Sequence, residues 1–382
     1  MQQTPIYLDY AAATPVDERV VEAMLPYLGT QFFNPSANYQ AALEIRKAME
    51  AARAKVAHWL GARPSEIIFT AGGTEANNLA VHGIMRRFSA GNVVVSAIEH
   101  ESVLAPAPRY DKRETGIRPD GRLDLADLRS KIDDKTVLVS VMYANNEIGT
   151  VQSIREVARL IAEIRRERQK SGNELPLYLH SDACQAANYL DLHVARLGVD
   201  LLTLNGGKIY GPKQSGCLYI KAGTVVEPLI DGGGQERGLR SGTENVAAAI
   251  GFAEALEIAQ TIRRDEAARL QLLQKQCIDE ITKNIPAAVI NGSIKYRLPN
   301  NIHITIPGID NERLLIELDE AGIMAAAGSA CSASNEESSH VLHALGLDDD
   351  AARASLRFTM GHGTTDKAID RTVEVLQRIT SR

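Results

Sequence analysis

Short apolar segments alternate with longer amphipathic segments along most of this 382-residue chain. The apolar segments are bounded by turn-forming residues and predict buried strands at 66–70, 92–97, 136–143, 175–181, 200–204 and 216–220. Helical periodicity occupies the intervals, as at 40–60, where Gly61 is a natural stop. Ser153 and Glu156 have the spacing of a capping box, at the start of a helix expected to run to about Arg168. This alternation predicts an α/β fold with a mostly parallel sheet covered by helices on both faces.

The pattern changes after Thr243. An Ala-, Glu- and Leu-rich stretch at 244–285 predicts one or two helices. Strand candidates follow at 288–290 and 302–306, and then a helix at 311–321. These segments predict a smaller α+β domain at the C-terminal end of the chain.

Composition narrows the class of protein. The 48 acidic and 42 basic residues give a net charge of −6, which argues against nucleic acid as the main ligand. No apolar stretch approaches the roughly 20 residues that a membrane-spanning helix needs, and the N-terminus does not resemble a secretory signal. The four cysteines are scattered without CxxC spacing, which argues against a zinc ribbon or a disulfide framework. A cytoplasmic protein without a metal site is therefore expected.

A glycine-rich turn at 70–78 follows one predicted strand and precedes a helix. Gly72 and Gly73 allow close approach of the backbone, Thr74 adds a hydroxyl, and the free N–H groups of a helix N-terminus favour an anion. The turn matches neither the P-loop nor the dinucleotide-binding fingerprint. A phosphate site and a plain strand-to-helix turn both remain open from this motif alone.

Two further residues, Asp182 and Lys208, follow the ends of predicted strands. Parallel sheets collect ligands at the carboxyl ends of their strands, so both side chains are candidates for one site. Either residue alone could be an ordinary loop residue. Together with the turn at 70–78 they supply what pyridoxal phosphate needs, which is a lysine for covalent attachment, a carboxylate for the ring nitrogen and an anion cradle.

Several longer motifs occur in one order along the chain. They are 7–14 (YLDYAAAT), 34–36 (NPS), 99–100 (EH), 145–149 (NNEIG), Asp182 with Gln185, 208–213 (KIYGPK), 237–243 (RGLRSGT), 328–331 (GSAC) and 355–358 (SLRF). In these motifs the chain resembles, nearly end to end, the cysteine desulfurases of the NifS/IscS-like group in the class-V aminotransferase family. The resemblance implies a fold-type I, aspartate aminotransferase-like enzyme with a mostly parallel seven-stranded sheet. It also implies a large domain at 15–255 and a small domain formed by 1–14 and 256–382.

The resemblance assigns the chemical roles. Lys208 would hold pyridoxal phosphate and shuttle the Cα proton, and Asp182 would keep the ring nitrogen protonated. His100 would lie over the ring face and handle protons, and Arg357 would bind the substrate carboxylate. Cys331 would be the sulfur nucleophile, on a loop whose length matches the longer-loop branch of the family.

Further contacts are implied around the cofactor and the substrate. They are Gln185 and Asn146 at the ring hydroxyl, Gly73, Thr74, Glu75 and Asn205 around the phosphate, Thr243 reaching the phosphate from a partner subunit, and Asn34 at the substrate. Asn205 and Gly207 depart from the family pattern, which usually has a serine or threonine and a histidine there. Two of the usual phosphate donors are therefore changed or lost.

The implied function is that of a homodimeric L-cysteine desulfurase. L-cysteine would give L-alanine and a persulfide on Cys331, which a protein acceptor would receive for iron–sulfur cluster assembly, tRNA thiolation or DNA phosphorothioation. A selenocysteine lyase or a related pyridoxal-phosphate-dependent lyase is the enzyme alternative, and a non-catalytic scaffold is the remote one. No direct contact with membrane or nucleic acid is expected. The other cysteines, Cys184, Cys217 and Cys277, are interpreted as small buried residues.

Overall fold

The computed structural model describes residues 5–328 and 338–381. Its strands are β1 (Ile6–Tyr7), β2 (Ile67–Thr70), β3 (Asn92–Ser96), β4 (Asp111–Thr115), β5 (Thr136–Ser140), β6 (Tyr178–Asp182), β7 (Leu201–Asn205), β8 (Gly216–Ile220), β9 (Val289–Ile290), β10 (Asn301–Thr305), β11 (Ile323–Met324) and β12 (Ser355–Thr359). Its α-helices are α1 (Glu18–Leu28), α2 (Gln40–Leu60), α3 (Gly73–Arg87), α4 (Glu101–Leu104), α5 (Leu125–Lys131), α6 (Ile154–Ser171), α7 (Val194–Leu197), α8 (Val246–Asn284), α9 (Asn311–Glu320), α10 (His340–Ala344), α11 (Asp349–Arg353) and α12 (Asp366–Thr380).

The largest sheet has seven strands in the order β2-β8-β7-β6-β5-β3-β4. The strands from β7 to β4 pair in parallel, whereas β8 runs antiparallel to both of its neighbours. Helices cover both faces, so the inner strands are buried on both sides. The predicted α/β class with a mostly parallel seven-stranded sheet is confirmed.

Each face of this sheet has its own apolar core. Val93 and Val95 of β3 point into the core beneath α3, whereas Val94 points into the core beneath α2, α6 and the first part of α8. This separation follows from the two-residue period of a strand. Helix α2 has the predicted bounds, and Gly61 ends it in the left-handed conformation, with φ 61°.

Local sequence signals failed at three places. The edge strand β4 was not predicted because its sequence, DKRET, is charged, which is a common property of exposed sheet edges. Strand β6 starts three residues later than expected, after Pro176, which has no N–H to donate. The capping box at Ser153 was wrong. Ser153 precedes α6, but its ψ of 73° is not the extended value of a capping residue and its hydroxyl makes no cap hydrogen bond.

The C-terminal part builds a second core on a three-stranded antiparallel sheet, β12-β10-β9. The 39 residues of α8 form one helix, not two. Phe252 and Leu256 in its first half pack in the core of the large sheet, whereas Leu273 and Ile281 in its second half pack in the smaller core. Strand β1 joins this smaller part by pairing in parallel with β11. The predicted domain boundaries themselves stay a prediction.

The carboxyl ends of the parallel strands meet at one edge of the large sheet. The C-terminal ends of β2, β3, β5, β6 and β7, or the segments just after them, place at that edge, in that order, Gly73, His100, Asn146, Asp182 and Lys208. Strand β12 of the smaller sheet adds Arg357 from the opposite side. The candidate site therefore lies in the cleft between the two parts of the chain, where open α/β sheets bind their ligands.

Candidate active site

One cavity brings together most of the residues that the sequence singled out. Its lining includes Gly73, Thr74, His100, Asn146, Asp182, Gln185, Asn205, Lys208 and Arg357. Glu75 lines a second cavity, which shares Gly73, Thr74, Asn205 and Lys208 with the first. Asn34 and Thr243 are exposed and line neither cavity, and Cys331 lies outside the described residues.

The glycine-rich turn at the N-terminus of α3 lies at the junction of the two cavities. Gly72 has φ 117°, a conformation that side chains rarely adopt, and a Cβ on Gly73 would lie 2.8 Å from Cys184 Sγ. Glycines at these positions allow the chain to turn tightly and leave backbone N–H groups at the helix start. Such N–H groups favour a phosphate.

Glu75 faces a different set of partners. Its carboxylate accepts a hydrogen bond from the backbone N–H of Ala71 and pairs with Arg240, whose Nε lies 2.9 Å from Glu75 Oε1. Asn205 Oδ1 accepts from the N–H of Gly207. The Glu75 carboxylate therefore holds the turn and a neighbouring loop.

Asp182, the last residue of β6, is 7 % exposed. Its Oδ1 accepts from the N–H of Cys184 at 2.9 Å, and its Oδ2 accepts from Asn77 Nδ2 at 2.6 Å. These two donors fix the plane of the carboxylate at the cavity wall. Charge-assisted bonds of this kind hold an ionised carboxylate in a buried position.

His100 is joined to Asp182 through two side chains. Asn77 Nδ2 also donates to Ser102 Oγ at 2.8 Å, and that oxygen lies 2.8 Å from His100 Nδ1. The backbone N–H of Ser102 donates to the same Nδ1 at 3.0 Å, so Nδ1 is an acceptor. In the neutral ring the proton is then on Nε2, which makes His100 a hydrogen-bond donor at that atom.

Lys208 follows β7 in a short 3-10 turn. Its Nζ donates to the carbonyls of Ala11 and Ala12 at 2.9 and 2.7 Å. Gln185 Nε2 donates to the Ala11 carbonyl as well, at 3.0 Å. The N-terminal segment around Ala11 therefore forms one wall of the cavity, which the sequence did not predict.

Arg357 lies in the middle of β12 and is 2 % exposed. Its Nη1 donates to the carbonyl of Asn146 at 3.0 Å, and its Nη2 donates to Asp9 Oδ1 at 2.6 Å. Arg357 Nε is buried, and the described part of the chain offers it no acceptor. A buried guanidinium at a cavity wall is suited to binding a carboxylate.

Two more titratable groups lie at the site or next to it. Burial raises the pKa of the Cys184 thiol, which lines the cavity beside Asp182 and was wrongly interpreted as a core residue. Burial also raises the pKa of Glu99 to about 8, and one of its carboxyl oxygens accepts from the N–H of Met142 and from Ser96 Oγ. No signal in the sequence indicated the position of Cys184, because it depends on the turn that follows β6.

The residues present fit pyridoxal phosphate. A lysine amine and a buried carboxylate with fixed geometry share one cavity, and a glycine-lined helix N-terminus lies beside them. The family model of class-V aminotransferases matches residues 6–371. The chain belongs to the class-V aminotransferase family, whose members use pyridoxal phosphate.

Two relatives and one solved structure narrow this class. The chain is 41 % identical over 384 residues to "Cysteine desulfurase IscS" of Dictyoglomus turgidum, covering 99 % of this chain and 95 % of that protein. It is 42 % identical over 383 residues to "Cysteine desulfurase IscS 1" of Archaeoglobus fulgidus, covering 98 % of this chain and 97 % of that protein. A solved NifS-like protein superposes with a TM-score of 0.90 at 31 % identity, covering 99 % of this chain and 100 % of that one. The predicted resemblance and the predicted cofactor are confirmed.

Proposed function

We propose that this protein is a pyridoxal-phosphate-dependent L-cysteine desulfurase that uses Lys208, Asp182, His100, Arg357 and Cys331. The similarity to cysteine desulfurases over nearly the whole chain confirms the predicted class of activity. The observation that carries the residue assignment is the convergence of Lys208, Asp182 and Arg357 on one cavity, from three separate strands or their ends. When bound, pyridoxal phosphate supplies an electron sink that stabilises negative charge at the substrate Cα.

The cofactor would be held at its two ends. The N-terminus of α3, with Gly73 and Thr74, would bind the phosphate, and the fixed carboxylate of Asp182 would hold a proton at the ring nitrogen. Lys208 would provide the covalent link. The amide side chains of Gln185 and Asn146 line the same cavity and are the candidates for the ring hydroxyl.

The substrate would be held and deprotonated by charged groups on opposite walls. Arg357 would bind the carboxylate of L-cysteine, because its guanidinium can donate two parallel hydrogen bonds. Lys208 Nζ would remove the Cα proton, and the Nε2–H group of His100 would donate a hydrogen bond on the ring side. Asn34 is exposed in the described chain and lines neither cavity, and its contact with the substrate stays a prediction.

Sulfur transfer is assigned to Cys331. Its thiolate would form a bond to the substrate sulfur while the carbon–sulfur bond breaks, with that electron pair remaining on carbon. A proton then completes the methyl group of L-alanine, and the sulfur stays on Cys331 as a persulfide. The other cysteines are poor candidates, because burial raises the pKa of Cys184, Cys217 and Cys277, and the thiolate is the nucleophile.

A homodimer would complete each site. Val21, Leu25, Leu28 and Phe32 form an exposed apolar surface on α1 and the loop after it, and Phe32 is 71 % exposed. The segment 232–243 contains five glycines and ends at the exposed Thr243, which we propose as a phosphate donor to the partner subunit. A second copy of the chain would cover both features.

The sequence predicts a cytoplasmic location. None of the helices in the described chain is long and apolar enough to cross a membrane. The described cysteines are free, as expected in a reducing compartment. A cytoplasmic location is therefore part of this proposal.

The proposed function is tested by incubation with L-cysteine carrying radioactive sulfur. Equal amounts of L-alanine and of label on Cys331 are expected in the first turnover. Cys331→Ser should bind L-cysteine but form no labelled persulfide, because a hydroxyl is a poor nucleophile at neutral pH. Cys277→Ser is the matched control, since Cys277 is buried in the smaller core and should be dispensable. Label on another cysteine would contradict the assignment.

A further inference from the structure

The N-terminal segment 9–12 contacts both cations of the cavity. Asp9 Oδ1 accepts from Arg357 Nη2 at 2.6 Å, and the carbonyls of Ala11 and Ala12 accept from Lys208 Nζ at 2.9 and 2.7 Å. One short segment therefore contacts both the lysine proposed to bind the cofactor and the arginine proposed to bind the substrate.

The chain around Asp9 is also held by hydrogen bonds that do not involve its carboxylate. Tyr7 Oη donates to the carbonyls of Asp9 and Ala13, each at 2.9 Å. The N–H of Ala11 donates to Thr359 Oγ1 at 2.9 Å, on the same strand as Arg357. The Tyr7 bonds brace the segment itself and the Thr359 bond ties it to β12, so that the backbone places the Asp9 carboxylate beside Arg357.

Asp9 is the acid that neutralises Arg357 within the described chain. The guanidinium is 2 % exposed, and it also donates to the uncharged carbonyl of Asn146. His303 lies opposite Arg357 on β10, and burial lowers the pKa of His303 to about 3, so that its ring is neutral near pH 7. An amino acid that enters the cavity therefore meets an arginine that already has a carboxylate partner.

We propose that Asp9 tunes the affinity of the site: it shares Arg357 with the carboxylate of the bound amino acid and weakens the binding of that amino acid. This inference rests on the proposed function. A ligand carboxylate is attracted by Arg357 and repelled by Asp9 in the same poorly solvated place. Substrate L-cysteine and product L-alanine carry the same carboxylate, so the effect of Asp9 applies to both and promotes product release.

The test compares two ligands that differ by a carboxylate, L-alanine and ethylamine. Their dissociation constants are measured on the holoenzyme from the change in cofactor absorbance, without turnover. In Asp9→Asn the amide oxygen can still accept from Arg357, but the negative charge is gone. L-alanine should then bind about tenfold more tightly or better, and ethylamine should bind unchanged. The KM for L-cysteine should fall together with kcat.

Two further variants separate the possible outcomes. Tyr7→Phe removes a hydrogen bond to the Asp9 backbone without changing charge, and should leave the ratio of the two affinities unchanged. Arg357→Ala should weaken the binding of L-alanine and leave the binding of ethylamine unchanged. Suppose that Arg357→Ala weakens the binding of L-alanine as expected, but Asp9→Asn leaves that binding unchanged or weakens it. The inference about Asp9 is then wrong, and the proposed binding of the substrate carboxylate by Arg357 stands. If Arg357→Ala has no effect on L-alanine, the clamp in the proposed function is wrong as well.

Asp9→Asn leaves the buried Arg357 without a charged partner, which lowers the free energy of unfolding. Asp9→Ser is therefore measured in parallel, since it also removes the carboxylate and retains a small acceptor. It should tighten L-alanine in the same direction. If either variant binds L-alanine and ethylamine more tightly by a similar factor, the cavity has changed in general and the proposal is overturned.

Discussion

Replacing Asp182 by asparagine perturbs one charge and one hydrogen bond at a known place. Both carboxyl oxygens accept N–H donors, from Cys184 at 2.9 Å and from Asn77 at 2.6 Å. An asparagine must put its own N–H₂ group where one of these oxygens stands. One of the two donors then loses its acceptor, and the proposed proton at the cofactor ring nitrogen loses its negative partner.

The expected magnitude differs for stability and catalysis. One buried donor without an acceptor costs about 1–3 kcal/mol in the free energy of unfolding. Loss of a positioned electrostatic group in an active site costs about 10²–10³-fold in kcat, which is roughly 2.7–4 kcal/mol of transition-state stabilisation. The loss in kcat should therefore be large in protein that is still folded.

The assay measures kcat for alanine formation together with denaturant unfolding of Asp182→Asn. Asp200→Asn is the matched control. Asp200 is 4 % exposed, accepts from the N–H of Leu179 at 2.9 Å and pairs with Arg165, but it lies away from the cavity. The control should lose stability and keep its kcat. A change in kcat below about threefold in Asp182→Asn would refute the proposed role, since it is far below the expected loss.

Three further predictions concern buried charge and the dimer. Glu99→Gln should be more stable than the wild type at pH 8 and equally stable near pH 4. The pKa of Glu99 is raised to about 8, so between pH 4.5 and about 8 the wild type loses about 1.4 kcal/mol of unfolding free energy per pH unit. Chemical denaturation measures this loss, and its absence would contradict the prediction. Arg53→Met should cost about 3–5 kcal/mol, because it leaves the buried carboxylate of Glu236 without its bidentate partner, and equal denaturation midpoints would refute this. Mixing Lys208→Ala and Thr243→Glu subunits, each inactive alone, should restore about a quarter of the wild-type activity, since half of the re-formed dimers are hybrids with one intact site; no recovery in proven hybrids would refute the shared site.

The strands of the large sheet were predictable because apolar runs between turn-forming residues have few alternatives. Strand β8 has the predicted bounds, and β3 and β7 agree within one residue. Helix α2 was predictable because its periodicity ends at a glycine. Where local signals conflict with tertiary context they fail, as at the charged strand β4 and at Ser153.

The candidate site was predictable residue by residue but not as a set of contacts. Lys208 and Asp182 follow strand ends, which is visible in the sequence. The bond between Asn77 and Asp182 joins residues 105 apart, and that between Asp9 and Arg357 joins residues 348 apart. No periodicity or motif encodes such pairings, because they arise when the two parts of the chain pack around the cavity.

The central claim is that Lys208 holds the cofactor. Reduction of the holoenzyme with borohydride, followed by proteolysis and mass spectrometry, fixes the cofactor to its lysine and identifies that lysine directly. The rival is Lys213, which lines the phosphate side of the cleft and donates from its Nζ to the carbonyl of Thr14. The label is predicted on Lys208, with none in Lys208→Ala. A label on Lys213 in the wild type would contradict the account.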